Sequence, residues 1–125
     1  MRVRRVTGLW LALAIVMIFT SPLRAQEIWK GTAQQNNGED YSVVIKLSVN
    51  SGETDYPELQ CGGTLMRVGK SDNYSFYLEK ITRNRSRCLD GSITLINTDN
   101  AITWVWVGTY NNGRPAIAWS RLTRQ

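Results

Sequence analysis

Short segments rich in β-branched and aromatic residues, separated by turn-forming residues, dominate this chain. The segment SVVIKLSVN at 42–50 alternates apolar and polar side chains, and ITWVWV at 102–107 consists almost wholly of bulky residues. Asn-Gly pairs at 37–38 and 112–113 mark tight turns, because asparagine and glycine tolerate a positive φ. This alternation has the two-residue period of strands, and it predicts an all-β protein.

The turn signals divide the chain into eight predicted strands. Their approximate bounds are 27–34, 41–50, 54–60, 63–69, 73–82, 91–97, 101–109 and 115–123. Only the connection at 83–90 is long, and short sequential connections favour an antiparallel meander. Eight such strands can form a small closed or partly open barrel, which removes exposed strand edges. A two-sheet sandwich is the alternative architecture.

The N-terminal 25 residues have the pattern of a secretory signal peptide, with three early arginines, an apolar run over 8–20 and Ala25 at the predicted cleavage position. The alternative is an uncleaved membrane anchor, which would be the only membrane contact that we expect. We therefore predict a leader at 1–25 and a single β-barrel domain at 26–125, exported to the periplasm or the extracellular space.

The predicted leader accounts for most of the net positive charge. The whole chain has 15 basic and 10 acidic residues, and residues 1–25 contain four of the basic and none of the acidic ones. The remaining chain therefore has 11 basic and 10 acidic residues, a net charge of +1. A charge so close to zero predicts no binding of nucleic acid.

Cys61 and Cys88 are the only cysteines, and the chain contains no histidine. A zinc site would need further ligands, and a cysteine nucleophile needs an activating base, usually histidine. We therefore expect no metal, no cofactor and no catalytic residue. An oxidising compartment favours a Cys61–Cys88 disulfide, which would hold the 83–90 loop against a turn. Gly62 and Gly63 would allow a sharp corner and a close backbone approach there.

Three arginines alternate in the 83–90 loop, which contains TRNRSR at 82–87. If this segment is extended, Arg83, Arg85 and Arg87 share one face and could bind a phosphate, an acidic glycan or an acidic protein surface. The alternative is that these are ordinary solvated arginines of a surface loop.

Aromatic residues provide a second candidate site. The favoured interpretation of each aromatic residue is that it belongs to the core or rim of a small barrel. If a cluster of them binds a ligand, we expect it to include Trp104 and Trp106 with Tyr77 or Trp119. Glu79 lies in the apolar strand YSFYLEKI and is predicted to point inward. There it could pair with Arg67, either to orient a ligand or to fix the strand register.

Residues distributed over 29–122 resemble a small extracytoplasmic bacterial domain. They are Tyr56-Pro57, Leu59, Cys61, Gly63, Leu65, Glu79, Ile81, Cys88, Gly91, Ile93, Leu95, Trp104 and Trp106. That domain occurs in secreted bacterial proteins and as the extracellular tail of some bacterial serine/threonine kinases, and this chain lacks a kinase region. The resemblance supports a disulfide and a binding or sensing role. At the level of architecture alone, the chain is also similar to lipocalin- and avidin-like barrels.

These observations predict an exported, non-enzymatic barrel that binds a small molecule, a glycan or a peptide. The first alternative is a secreted protein-interaction module, such as an enzyme inhibitor, that contacts its partner through the 83–90 loop. A less favoured alternative is a hydrolase using paired carboxylates, which no spacing in the chain supports.

Overall fold

The structure is a computed structural model that describes residues 14–15 and 26–125. The predicted signal peptide therefore lies almost wholly outside the described residues. Eight strands follow one another along the chain: β1 (Glu27–Gln35), β2 (Asp40–Leu47), β3 (Ser51–Tyr56), β4 (Cys61–Ser71), β5 (Tyr74–Arg83), β6 (Gly91–Asn97), β7 (Ala101–Thr109) and β8 (Pro115–Arg124). In the described part, the one helical element is a 3-10 turn at Pro57–Leu59.

The strands form a closed antiparallel barrel in simple meander order, with β8 pairing back to β1. The predicted all-β fold and antiparallel meander are thus confirmed, and the barrel is closed rather than a two-sheet sandwich. The third strand differs from its predicted bounds, 54–60. It ends at Tyr56 because Pro57, which has no backbone N–H to donate, begins the 3-10 turn. Gln60 closes this turn in the left-handed conformation, at φ 56°.

The two ends of the barrel are built differently. At one end, called the mouth below, lie the β1–β2 turn, the 3-10 turn, the loop at 84–90 and the β7–β8 turn. At the other end, called the base, the connections at 48–50, 72–73 and 98–100 are only two or three residues long. The mouth therefore carries most of the irregular backbone, which is where binding residues concentrate in rigid scaffolds.

Strict alternation along the strands fills the barrel interior. In β5, Ser75, Tyr77, Glu79 and Ile81 are buried, whereas the residues between them are exposed. Trp104 has no exposed surface and is part of the core. Strands β1 and β8 contribute small inward residues, namely Gly31, Ala33, Ala116, Ala118 and Ser120. These small residues leave room for the large aromatic side chains of the neighbouring strands.

The two Asn-Gly turns at the mouth have the same backbone design. Glycine takes the positive φ in each, 87° at Gly38 and 80° at Gly113, while the asparagines keep negative values. In the first turn the N–H of Gly38 donates to the carbonyl of Gln35, and in the second the N–H of Gly113 donates to the carbonyl of Tyr110. The predicted turns are thus present, with glycine alone in the left-handed region.

The described residues contain no helix that is long and apolar enough to cross a membrane. They also contain no group of three or more acidic or cysteine side chains that could hold a metal ion.

Candidate functional site

The Cys61–Cys88 disulfide is present, with 6.3 Å between the two Cα atoms. Cys61 is the first residue of β4, directly after the 3-10 turn, and it pairs with Tyr56. The sharp corner before it is made by Gln60, not by the two glycines as we predicted. Gly63 does provide the predicted close approach: a Cβ there would overlap the carbonyl of Lys80, at a register shift in the β4–β5 ladder.

The 84–90 loop is held at both of its ends. Near its start, the side chain of Asn84 donates to the Gln60 carbonyl at 3.0 Å, which ties the loop to the 3-10 turn. Near its end, Asp90 accepts from the backbone N–H of Ile81 at 2.8 Å and forms an ion pair with Arg85 at 3.1 Å. The hydrogen bond from Arg85 and that from Ile81 hold the pKa of Asp90 below its usual range. Together with the disulfide, these contacts fix the loop beside the mouth.

The three loop arginines do not share a face, which corrects the prediction of an extended segment. Residues 85–87 form a turn, since the N–H of Arg87 donates to the carbonyl of Asn84. Arg83 lies on the outside of the barrel, paired with Asp55 at 3.0 Å, and Arg85 folds back onto Asp90 and the Ile81 carbonyl. Arg87 remains exposed and makes no ion pair with any residue of 26–125.

A cavity of about 430 Å³ opens at the mouth. Its exposed rim comes from the two Asn-Gly turns and the 84–90 loop, and its inner wall from buried residues of four strands. The rim and side residues are Gln35, Asn37, Glu39, Leu59, Arg85, Ser86, Arg87, Cys88, Leu89, Tyr110 and Asn111, and the buried ones are Tyr41, Tyr56, Glu79 and Trp106. This volume is in the range of small-molecule sites.

Glu79 lies at the floor of this cavity and is only 3% exposed. Its Oε2 accepts a hydrogen bond from the Tyr56 hydroxyl at 2.5 Å, and its Oε1 accepts one from the indole Nε1 of Trp106 at 3.0 Å. Burial raises the pKa of Glu79 above its ordinary value of 4.5, and the hydrogen bonds to its carboxylate only partly oppose this effect. The prediction that Glu79 points inward is correct.

The predicted pairing of Glu79 with Arg67 is wrong. Arg67 lies near the base, where its Nη2 donates to Oδ1 of Asn50 at 2.6 Å and its backbone N–H donates to the carbonyl of the same residue. No arginine or lysine of 26–125 forms an ion pair with Glu79. The carboxylate instead accepts hydrogen bonds from the neutral donors Tyr56 and Trp106, and the buried hydroxyl of Thr54 also lies beside it.

The predicted aromatic cluster is divided by the structure. Trp106 lines the cavity, whereas Trp104 and Tyr77 are buried below it, toward the base. Trp119 is 47% exposed on the outer surface, because its neighbours in β8, Ala118 and Ser120, take the inward positions. Trp119 therefore lies apart from both Trp104 and Trp106.

Tyrosines that the sequence analysis did not select complete the cavity wall. Tyr41 and Tyr56 meet edge to face, with ring centroids 5.8 Å apart. The Tyr41 hydroxyl donates to Oε1 of Gln35 at 2.8 Å, Gln35 Nε2 donates to the Tyr110 hydroxyl at 2.9 Å, and that hydroxyl donates to Asn36 Oδ1 at 2.7 Å. Burial raises the pKa of both Tyr41 and Tyr56, so both stay protonated as hydrogen-bond donors. The sequence signal for these tyrosines was their position at the mouth ends of β2 and β3.

No protein-family model matches this chain, and no curated protein is significantly similar to it. The resemblance to the extracytoplasmic bacterial domain therefore stays a prediction.

Proposed function

We propose that this protein is an exported, non-enzymatic β-barrel that binds a small ligand in the mouth cavity. The observation that carries the proposal is the cavity itself, which combines three buried aromatic side chains and one buried carboxyl group in about 430 Å³. Aromatic side chains that surround a small number of convergent polar groups are typical of small-molecule sites. The disulfide supports export, because such bonds persist in oxidising compartments.

The proposal is for binding rather than catalysis. The chain has no histidine, and the two carboxyl groups that line the cavity differ in setting, Glu39 at the exposed rim and Glu79 at the buried floor. Both oxygens of Glu79 already accept hydrogen bonds from residues of the barrel. These hydrogen bonds orient the carboxyl group of Glu79, as a residue that holds a ligand requires.

Ligand screening by tryptophan fluorescence and thermal shift tests the proposal. The panel should contain glycans, peptides and apolar small molecules, since Trp106 lies in the cavity wall and reports on occupancy. Leu59→Trp should fill part of the cavity and abolish the response, whereas Trp119→Phe on the outer surface should preserve it. The mouth cavity is not the binding site if no compound shifts either signal. The same conclusion follows if circular dichroism shows that Leu59→Trp is folded and this variant still binds normally.

A protein-interaction module that uses the 83–90 loop is the second candidate. The observation in its favour is that the disulfide and the Asn84–Gln60 hydrogen bond hold this loop while Ser86 and Arg87 remain exposed. Pull-down from envelope extract with wild type and with Arg87→Glu separates the two candidates. A protein captured by wild type but not by Arg87→Glu, with no small ligand found, would favour this second function.

A further inference from the structure

We propose that the ligand of the mouth cavity is a small protonated amine on an aromatic or apolar body, with its N–H groups donated to the Glu79 carboxylate. This inference rests on the proposed function, because it names the chemical class that the same cavity takes. It is carried by the charge, the hydrogen bonding and the aromatic surroundings of Glu79.

Glu79 places a negative charge at the cavity floor when it is ionised. Glu79 is buried without a cation, since within 26–125 Arg83 is paired with Asp55 and Arg85 with Asp90. An isolated buried carboxylate is costly, so ionised Glu79 leaves a site for one positive charge that no residue of 26–125 fills. An ammonium group from a ligand would supply that charge.

Glu79 retains hydrogen-bonding capacity beyond its contacts within the barrel. A carboxylate offers about four acceptor positions. The Tyr56 hydroxyl and the Trp106 indole use one on each oxygen, and the buried Thr54 hydroxyl beside Glu79 can use a third. Indole nitrogen can only donate, so at least this partner requires Glu79 to be an acceptor. The orientation that these two donors give to the carboxylate leaves acceptor capacity for a ligand N–H.

Aromatic side chains form the cavity wall beside Glu79. Tyr41, Tyr56 and Trp106 all line the cavity beside Glu79, and the two tyrosine rings meet at an interplanar angle of 86°. Aromatic faces attract cations within about 6 Å, and this attraction grows when the cation is desolvated. Such a wall suits an ammonium group with an attached aromatic or apolar body, and the positive charges of the cavity, Arg85 and Arg87, lie at the rim, away from the floor.

The charged side chains at the rim do not exclude a cationic ligand. Its two unpaired charged side chains, Glu39 and Arg87, have opposite signs. The ionisable groups that face Glu79 are Tyr41, Tyr56, Asp90 and, beyond Asp90, Arg85. The two tyrosines have raised pKa values and stay neutral, and Arg85 with Asp90 sum to zero, so Glu79 sets the net charge at the floor.

Calorimetry with three matched probes tests the inference. The probes are 2-phenylethylamine, 2-phenylethanol and 3-phenylpropanoate, which share a phenyl body and differ in the charge of the head group. We expect the amine to bind at least tenfold more tightly than the other two. Glu79→Gln should remove this preference, and Glu53→Gln, which changes an exposed carboxyl outside the mouth cavity, should keep it.

The pH dependence of wild type gives an independent readout if Glu79→Gln fails to fold. Amine binding requires ionised Glu79, so its affinity should rise as pH increases through the raised pKa of Glu79 and then level off. Binding below that pKa should also release a proton, which buffers of different ionisation enthalpy detect. If Glu79 instead acts as a neutral acid that donates to a ligand, affinity will fall with rising pH and the inference is wrong.

The two proposals fail in different ways. If the alcohol or the acid binds as tightly as the amine and Leu59→Trp blocks that binding, the cavity is a ligand site but not an amine site. If no small molecule from this set or from the wider panel binds, the proposed function itself fails.

Discussion

The indole Nε1 of Trp106 donates a 3.0 Å hydrogen bond to Oε1 of Glu79, although the two residues lie on strands that are not neighbours. Glu79 projects from β5 and Trp106 from β7, with β6 between them. Gly91, at the mouth end of β6, makes this possible because it has no side chain in the space where the indole lies. The floor of the cavity thus depends on a contact across the barrel interior.

Glu79 should make the folded protein less stable as pH rises. Its pKa is raised in the folded state above the ordinary value of 4.5, so folding favours the protonated form. The stability that it contributes is fully present below the unfolded pKa and is lost as pH rises through the folded pKa, with a slope of at most about 1.4 kcal/mol per pH unit. Urea unfolding of wild type between pH 4 and 8, minus the same series for Glu79→Gln, should show this decline.

Asp90 and Glu58 affect stability with the opposite pH dependence to Glu79. The pKa of Asp90 is lowered by its hydrogen bond from Arg85, and that of Glu58 by hydrogen bonds with Ser42, so both contribute stability that is lost as pH falls through their folded pKa values. Their contribution makes the protein more stable as pH rises, and it is the same in wild type and in Glu79→Gln, so it cancels in the difference. A difference that is flat or that increases with pH would contradict the assignment to Glu79.

Small-to-large substitution at the glycines around Trp106 should displace the indole. A Cβ at Gly108 would lie 2.6 Å from Cη2 of Trp106, and one at Gly91 would lie 2.5 Å from its Nε1. Overpacking of this kind costs roughly 1–3 kcal/mol, so Gly108→Ala should lower the free energy of unfolding by that amount and alter the tryptophan emission. Gly69→Ala is the matched control, because its Cβ would make ordinary contact with Phe76 at 3.4 Å. Equal losses in the two variants would show that the indole is not confined by its glycines.

Asn36 should contribute more to stability than Asn111, which has the equivalent position in the second Asn-Gly turn. Oδ1 of Asn36 accepts from the Tyr110 hydroxyl at 2.7 Å and from the Ile117 N–H at 3.2 Å, and its Nδ2 donates to the Pro115 carbonyl at 3.0 Å. Its side chain therefore links β1 to the start of β8. Asn36→Ala should cost about 1–2 kcal/mol in chemical unfolding, whereas Asn111→Ala should cost less than about 0.5 kcal/mol. The reverse order would contradict the role given to Asn36.

Reduction of the disulfide should affect both stability and the cavity. The bond closes a loop across 27 sequence positions, and the chain-entropy model gives about 3–4 kcal/mol for such a loop. Cys88 also lines the cavity, so the Cys61→Ser/Cys88→Ser protein should be less stable and should bind any mouth ligand more weakly. Mass spectrometry of the exported protein should show a gain of two hydrogens on reduction, and free thiols in that protein would contradict the disulfide.

Much of the fold followed from local patterns. Two-residue alternation in stretches such as 42–47 reveals which side chains face inward, and the short connections leave little choice other than an antiparallel meander. Inward-facing Glu79 was predictable for the same reason, since it shares a strand face with Tyr77 and Ile81. The disulfide was predictable from the presence of two cysteines and no histidine.

The predictions that were wrong concern irregular loop backbone and side-chain contacts between strands. The 83–90 loop is a turn rather than an extended strand, because Asn84 takes a left-handed φ of 55° and Arg85 folds back onto Asp90. The expected Arg67–Glu79 pair fails for a geometric reason. Arg67 lies beside Tyr77 in the ladder, toward the base, and its guanidinium binds Asn50 there.

By itself, the sequence determined the strands, their inward faces, the meander and the pairing of the cysteines, because each of these depends on local periodicity or on a very small number of possible partners. Only the tertiary structure decided that Tyr41, Tyr56, Glu79 and Trp106 meet in one cavity at the mouth. Closure of the barrel brings side chains of β2, β3, β5 and β7 around a common axis, although β7 lies far from β2 and β3 in the sequence. Which inward side chains then leave space, and which fill it, depends on their combined volumes at each level of the barrel.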